Sequence, residues 1–171
     1  MSVNGFAAPV AELEEGATFT SRGRTITEAD LVSFSALTGD WHPQHADAAW
    51  AATSRFGERV AHGMMVLSYA VGLVGFDPER VVALRGLDGV VFKRPVRVGD
   101  TIRVEGTVKG VRPLDDDLAL CDLDWRIRNQ DGVTVARAKV SAVWRRRAGE
   151  RAEPDRPEER ADDKVFSELY L

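Results

Sequence analysis

Between Thr27 and Gly39 the apolar positions fall at helical spacing. In TEADLVSFSALTG, Leu31, Phe34 and Leu37 share one face, Thr27 stands where it can cap the first turn with Asp30, and Gly39 supplies a stop. Ahead of it, ATFTSRGRTIT follows a short leader and reads as an initial strand or hairpin. A polar loop comes next, and ADAAWAATSRF then reads as a short helix that Asp47 helps to start and Gly57 ends. AHGMMVLSYAVGLVG is apolar on nearly every side, so as a helix it must be wrapped by other elements rather than lie on a surface.

From Val81 the period changes to two, with turn signals at Val98 to Asp100, Leu114 to Asp117 and Gln130 to Gly132. Four successive strands joined by hairpins are predicted. The third shows the pattern most clearly, with Cys121, Leu123, Trp125 and Ile127 on one face and Asp122, Asp124, Arg126 and Arg128 on the other. Beyond VTVARAKVSAVWRRR the chain turns into AGERAEPDRPEERADDK, mixed in charge and without apolar periodicity, and a loosely held tail is expected over 148–171 with the terminal VFSELYL able to dock. An all-apolar helix followed by an antiparallel meander points to an α+β chain. The expectation is a single hot-dog fold over 1–147, its antiparallel curved sheet wrapped around the central apolar helix.

Composition narrows the function classes. A length of 171 residues with 44% apolar content suits one core. The formal charge of −4, with both signs interspersed, leaves no basic face for nucleic acid. No basic segment followed by an apolar core opens the chain, and the longest apolar run, Met64 to Phe76, contains Ser68 and two glycines and falls short of the roughly 18–20 residues of a membrane span. The one cysteine, Cys121, has no partner and lies in an alternating strand, which reads as a small buried residue in a reducing compartment. A cytoplasmic protein is expected.

The candidate chemistry lies in TGDWHPQHADAAW, where Asp40 and His45 flank Pro43 on a stiffened turn and His42 is biased toward extended backbone. A carboxylate and an imidazole held so can grip one water between them. The same residues also serve as helix stops and turn partners, and spacing alone leaves that reading open. Downstream, RVAHGMM places Gly63 at the start of the buried helix, where its backbone N–H would polarise a carbonyl, or would merely allow close packing. His62 beside it reads by itself as a capping or hydrogen-bonded residue. Asp40, His42 and His45 form a poor metal set, with no supporting cysteines or HxxxH spacing.

The stretch FSALTGDWHPQHADAAWAATSRFGERVAHGMMVLSYAVGL, together with GVVFKRPVRVGDTIRVEGTV, closely resembles the MaoC-like dehydratase family, which includes the (R)-specific enoyl-CoA hydratases. The resemblance runs from about Thr27 to Arg147. It implies catalytic roles for Asp40 (acid), His45 (base) and Gly63 (oxyanion amide). His62, Lys93 and Arg94 are candidate substrate-binding residues, the last two as contacts for the substrate's phosphates or simply as a solvated basic pair at a strand end. The resemblance further implies reversible hydration of a trans-2-enoyl thioester to the (R)-3-hydroxyacyl thioester. No redox or metal cofactor is implied; coenzyme A or a carrier-protein phosphopantetheine arm is part of the substrate, and a homodimer is expected. Two departures stand out. His42 replaces the usual Asn, which puts the tightness of the turn in question, and Val71 stands where some hydratases have a serine, which puts chain-length preference in question. The alternatives are a hot-dog acyl-CoA thioesterase and a non-catalytic subunit of a heterodimeric dehydratase.

Overall fold

Thr27 caps the helix that the sequence predicts. In the computed structural model, which describes residues 5–147, its hydroxyl accepts from the Asp30 amide while Asp30 accepts from the Thr27 amide, and Gly39 ends the helix in a left-handed conformation at φ 76°. The elements are β1 (Thr18–Thr20), β2 (Arg24–Thr25), α1 (Glu28–Thr38), α2 (Pro43–Ala46), α3 (Ala48–Thr53), α4 (Gly63–Val74), β3 (Val81–Phe92), β4 (Thr101–Pro113), β5 (Leu118–Arg128) and β6 (Thr134–Arg145). The expected tail falls outside the described residues.

The strands form one antiparallel sheet in the order β1-β4-β5-β6-β3, with β2 also paired to β4. Of the two readings that ATFTSRGRTIT allowed, the initial strand is present as β1 and the hairpin is not: β1 and β2 both lie along β4, with Thr18 opposite Thr107 and Arg24 opposite Ile102. Nor does Val98 to Asp100 close a hairpin, because β3 crosses to the far edge and pairs with β6, placing Leu87 opposite Val140. The glycine turn is real, with Gly99 at φ 95°, but its backbone is spent on Ile26, which receives the Gly99 amide and donates to the Asp100 carbonyl, each at 2.8 Å. The other two turns do close hairpins, β4–β5 and β5–β6. This is the hot-dog arrangement, with α4 lying on the sheet.

On β5 the alternation holds, with Cys121, Leu123, Trp125 and Ile127 all buried. They share a core with Met65, Val66, Leu67, Ala70 and Leu73 of α4. That helix is covered on one side rather than wrapped all round: Met64, Ser68 and Gly72, spaced one turn apart, are exposed, and Met64 retains 57% of its surface. Small and polar residues make this stripe tolerable to solvent within a single chain. On α1, Leu31 is buried and Phe34 half-buried, but Leu37 is 82% exposed, so the expected apolar face is shorter than its spacing suggested. Ser35 is turned inward instead.

Two further features fix where the helices sit. Asp30 accepts hydrogen bonds from Thr27, from the Tyr69 hydroxyl of α4 and from Arg24 of β2, the last at 2.8 Å with the guanidinium lying 3.8 Å over the Tyr69 ring. Burial alone would raise the Asp30 carboxyl, but the bonds from the Thr27 hydroxyl and amide, Tyr69 and Arg24 outweigh it and hold it at about 2. The leader segment is part of the core. Phe6 is fully buried, stacks on Trp144 at 4.9 Å and meets Trp125 edge-on at 5.6 Å. No helix of the described residues is long and apolar enough to cross a membrane.

Candidate active site

The turn after Gly39 presents Asp40 to solvent, its carboxylate accepting the His42 amide at 3.2 Å. Pro43 then opens α2, and His42 caps that turn through Nδ1, which accepts the Gln44 amide at 3.2 Å. The departure at His42 therefore does not loosen the turn. Nδ1 hangs from Cγ as the side-chain oxygen of an asparagine does, so either residue reaches the same amide.

His45, at the end of α2, is 5% exposed. Its Nδ1 lies 2.7 Å from the Val60 carbonyl; a carbonyl only accepts, so Nδ1 carries the proton and Nε2 keeps its lone pair. The Gln44 side-chain amide donates to that lone pair at 3.0 Å. Desolvation by burial is the largest influence on the ring and lowers its pKa below the usual 6.5; the Val60 bond opposes it, and His62 lowers it further. His45 is thus held neutral and ready to take a proton.

Val60 is strapped in place by its own amide bond to the Gln44 carbonyl at 3.1 Å, and Ala61 by a 2.7 Å bond to Val96. The chain then enters α4 at His62 and Gly63, and among the described residues no side chain caps the start of that helix. Close packing at Gly63 is also real, since a Cβ there would stand 2.8 Å from the Phe92 ring. The two readings of this glycine are compatible.

A cavity of about 550 Å³ joins these groups, lined by His45 and Gly63 together with Gln44, Phe92 and Val66 among others. Lys93 and Arg94 are on its wall, and so are Arg55 and Arg97, which sequence reasoning missed; among the described residues no carboxylate lines it. Arg97 is paired to Glu58 at 2.6 Å. His62 does not line the cavity. It is 2% exposed, with Nε2 3.0 Å from the Asp40 carbonyl and its ring stacked on His45 at 3.8 Å, which places it behind the site rather than against a substrate. Val71 is half-buried against the core. The roles of Val60 and Gln44 had no sequence signal, because Val60 acts through its main chain and Gln44 is one polar residue among many.

The described residues contain one group of metal-ligating character: Asp40, His45 and His62, whose ligand atoms lie within 4.8 Å of one another. The two imidazoles are stacked, their rings 24° from parallel, and His45 Nδ1 and His62 Nε2 already bond carbonyls. Cys121 is buried, and burial, helped by Asp122, pushes its thiol up to about 12, which removes it as a nucleophile.

Residues 11–119 match the model of the MaoC like domain, a stretch that contains Asp40, His45, Gly63 and the basic wall. The chain belongs to the MaoC-like domain family. Protein MaoC from Klebsiella aerogenes is 41% identical to this MaoC-like domain over 108 residues, which are 63% of this chain but only 32% of that protein, so the chain spans about a third of that relative. The (R)-specific enoyl-CoA hydratase of Aeromonas caviae is 35% identical over 104 residues, 61% of this chain and 75% of that protein. Among solved structures, the unliganded R-hydratase PhaJ1 from Pseudomonas aeruginosa superimposes with a TM-score of 0.67 at 32% identity, covering 90% of this chain and 96% of that one.

Proposed function

We propose that this chain catalyses the reversible hydration of a trans-2-enoyl thioester to the (R)-3-hydroxyacyl thioester. One observation carries the reading. The Val60 carbonyl holds the proton of His45 on Nδ1, so Nε2, where the Gln44 amide now donates, is the ring's basic position in a residue that lines one cavity with Gly63, the Asp40 carboxylate close by.

A water held by Asp40 takes the place of the Gln44 amide at His45 Nε2 and gives its proton to that nitrogen as its oxygen adds to C3. The electrons of the double bond move onto the thioester oxygen, where the Gly63 amide at the positive end of α4 stabilises the negative charge. The enolate then collapses, and C2 takes a proton from the dyad through Asp40 on the same face. One water has been added across the double bond, and both side chains return to their starting states. Conjugation with the thioester activates the alkene, so the reaction needs no redox or metal cofactor.

Among the described residues, four cations, Arg55, Lys93, Arg94 and Arg97, and no carboxylate line the cavity, in a chain of net charge −4. This supports a carrier rich in phosphate, with coenzyme A the first choice over a phosphopantetheine arm. A homodimer is also part of the proposal. Among the described residues β3 has a neighbour on one side only, and Val82, Val91 and Phe92 on it are exposed, as is Met64 of α4. The cytoplasm is the compartment that suits such a substrate and a free buried thiol.

Mixing the protein with crotonyl-CoA tests the reading, with the conjugated enoyl absorbance followed and the product's chirality resolved. Loss of absorbance with an (R)-3-hydroxy product, cut by about 1000-fold in His45→Ala, is expected. Release of free thiol from acyl-CoA would point to a thioesterase, and hydration indifferent to His45 would remove the dyad from the reaction.

A further inference from the structure

His62 is the third histidine of the chain, and the hydration mechanism leaves it unused. We infer that His62 is a positioning residue, a strut that holds the Asp40 turn and the His45 ring in register through an Nε2–H bond at its edge and a stacking contact on its face. The kinetic part of this inference rests on the hydratase reading; the structural part does not.

Its geometry is over-determined for a space-filling side chain. Nε2 lies 3.0 Å from the Asp40 carbonyl and 3.2 Å from the Ser35 hydroxyl, which the inward face of α1 delivers. A carbonyl cannot donate, so Nε2 carries the hydrogen and Nδ1 is bare. Nδ1 is buried and has no hydrogen-bond partner among the described residues. A leucine or phenylalanine would fill the same space without leaving an acceptor unsatisfied, so an imidazole here needs a reason other than packing.

The reason lies in what the ring touches. Its face stacks on His45 with centroids 3.8 Å apart, while Phe34 packs against it at 5.0 Å. The Val60 carbonyl fixes His45 within its own plane, and His62 blocks rotation out of that plane. The same ring ties down the backbone of Asp40, the dyad's other member, and the next residue along the chain is Gly63. One side chain thus connects all three groups that the reaction must keep aligned, where a misplacement near 1 Å costs on the order of 100-fold in rate.

The test uses the full chain and begins with long-range proton–nitrogen NMR of its side-chain imidazoles, of which there are only three. His62 is expected as the Nε2–H tautomer and His45 as the Nδ1–H tautomer. In His62→Phe, which keeps a flat ring but loses the donor, kcat for crotonyl-CoA hydration should fall by about 100-fold with KM within about threefold. His62→Gln, whose amide reaches the same carbonyl, should recover about tenfold of that loss. A wild-type spectrum with His62 as the Nδ1–H tautomer or as imidazolium overturns the inference, even if no enoyl thioester is turned over. So does a folded His62→Phe with near-native kcat. Should His62→Phe fail to fold, His62→Gln decides, since a kcat lower than that of a folded His62→Leu contradicts the strut.

Discussion

Asp30 and Asp40 stand at opposite ends of α1, one before its first turn is complete and the other just past its stop, yet their surroundings differ in every respect. Asp30 is 9% exposed and receives bonds from Thr27, Tyr69 and Arg24, so both of its oxygens are committed. Asp40 is exposed and accepts one amide, that of His42, among the described residues. The contrast separates polar groups that hold a fold from those free to do chemistry. A carboxylate whose lone pairs are all used stabilises what it touches, whereas one with spare capacity can take up a water and pass on a proton.

The sharpest test of that contrast is a matched pair of amides. Asp40→Asn should lower kcat/KM for crotonyl-CoA by about 1000-fold while the melting temperature stays within about 2 °C. If it kept near-native turnover, the division of labour would be wrong. Next in size is Gly63→Ala, expected to cost about 100-fold because the new methyl meets the Phe92 ring at 2.8 Å and forces that ring across the amide. Adding Phe92→Ala should return part of the activity if this clash is the cause. The converse variant, Asp30→Asn, should lose about 2 kcal/mol in urea unfolding, the equivalent of moving a carboxyl from 3.8 to about 2, with turnover per folded molecule within about twofold of native.

The pH dependence divides the same way. His45 binds its proton less readily folded than unfolded, so kcat/KM should fall on an acid limb centred below 6.5, and a stability penalty should begin as pH drops under 6.5. Asp30 is depressed, so its stabilising contribution is complete above 3.8 and disappears as pH falls from there toward 2. Asp30→Asn should erase the second effect and leave the acid limb in place. The smallest effect belongs to Leu37→Ser, expected within about 0.5 kcal/mol because that side chain is 82% exposed; a larger loss would mean that this face is covered in solution.

What was legible in the sequence is what short-range forces decide. The bounds of α1 follow from the hydrogen bonds Thr27 and Asp30 exchange and from the left-handed turn only Gly39 adopts cheaply, and the face of β5 follows from its alternation at Cys121, Leu123, Trp125 and Ile127. Asp40 and His45 could be singled out because Pro43 stiffens the few residues between them. The partner of β3 could not, since a turn at Gly99 reads the same whether it folds back on β3 or docks on Ile26. The inward face of Ser35, the place of Phe6 between two tryptophans and the basic wall of Arg55 and Arg97 were equally hidden.

The tautomer of His45 marks the boundary. That a histidine stands on the turn is local information, but which nitrogen is basic depends on the carbonyl of Val60, a backbone atom that every residue type carries and that only chain folding brings to 2.7 Å. Sequence by itself determined which residues have the capacity for this chemistry; the tertiary structure decided which lone pairs remain free, because hydrogen bonds between distant segments leave no trace in local pattern.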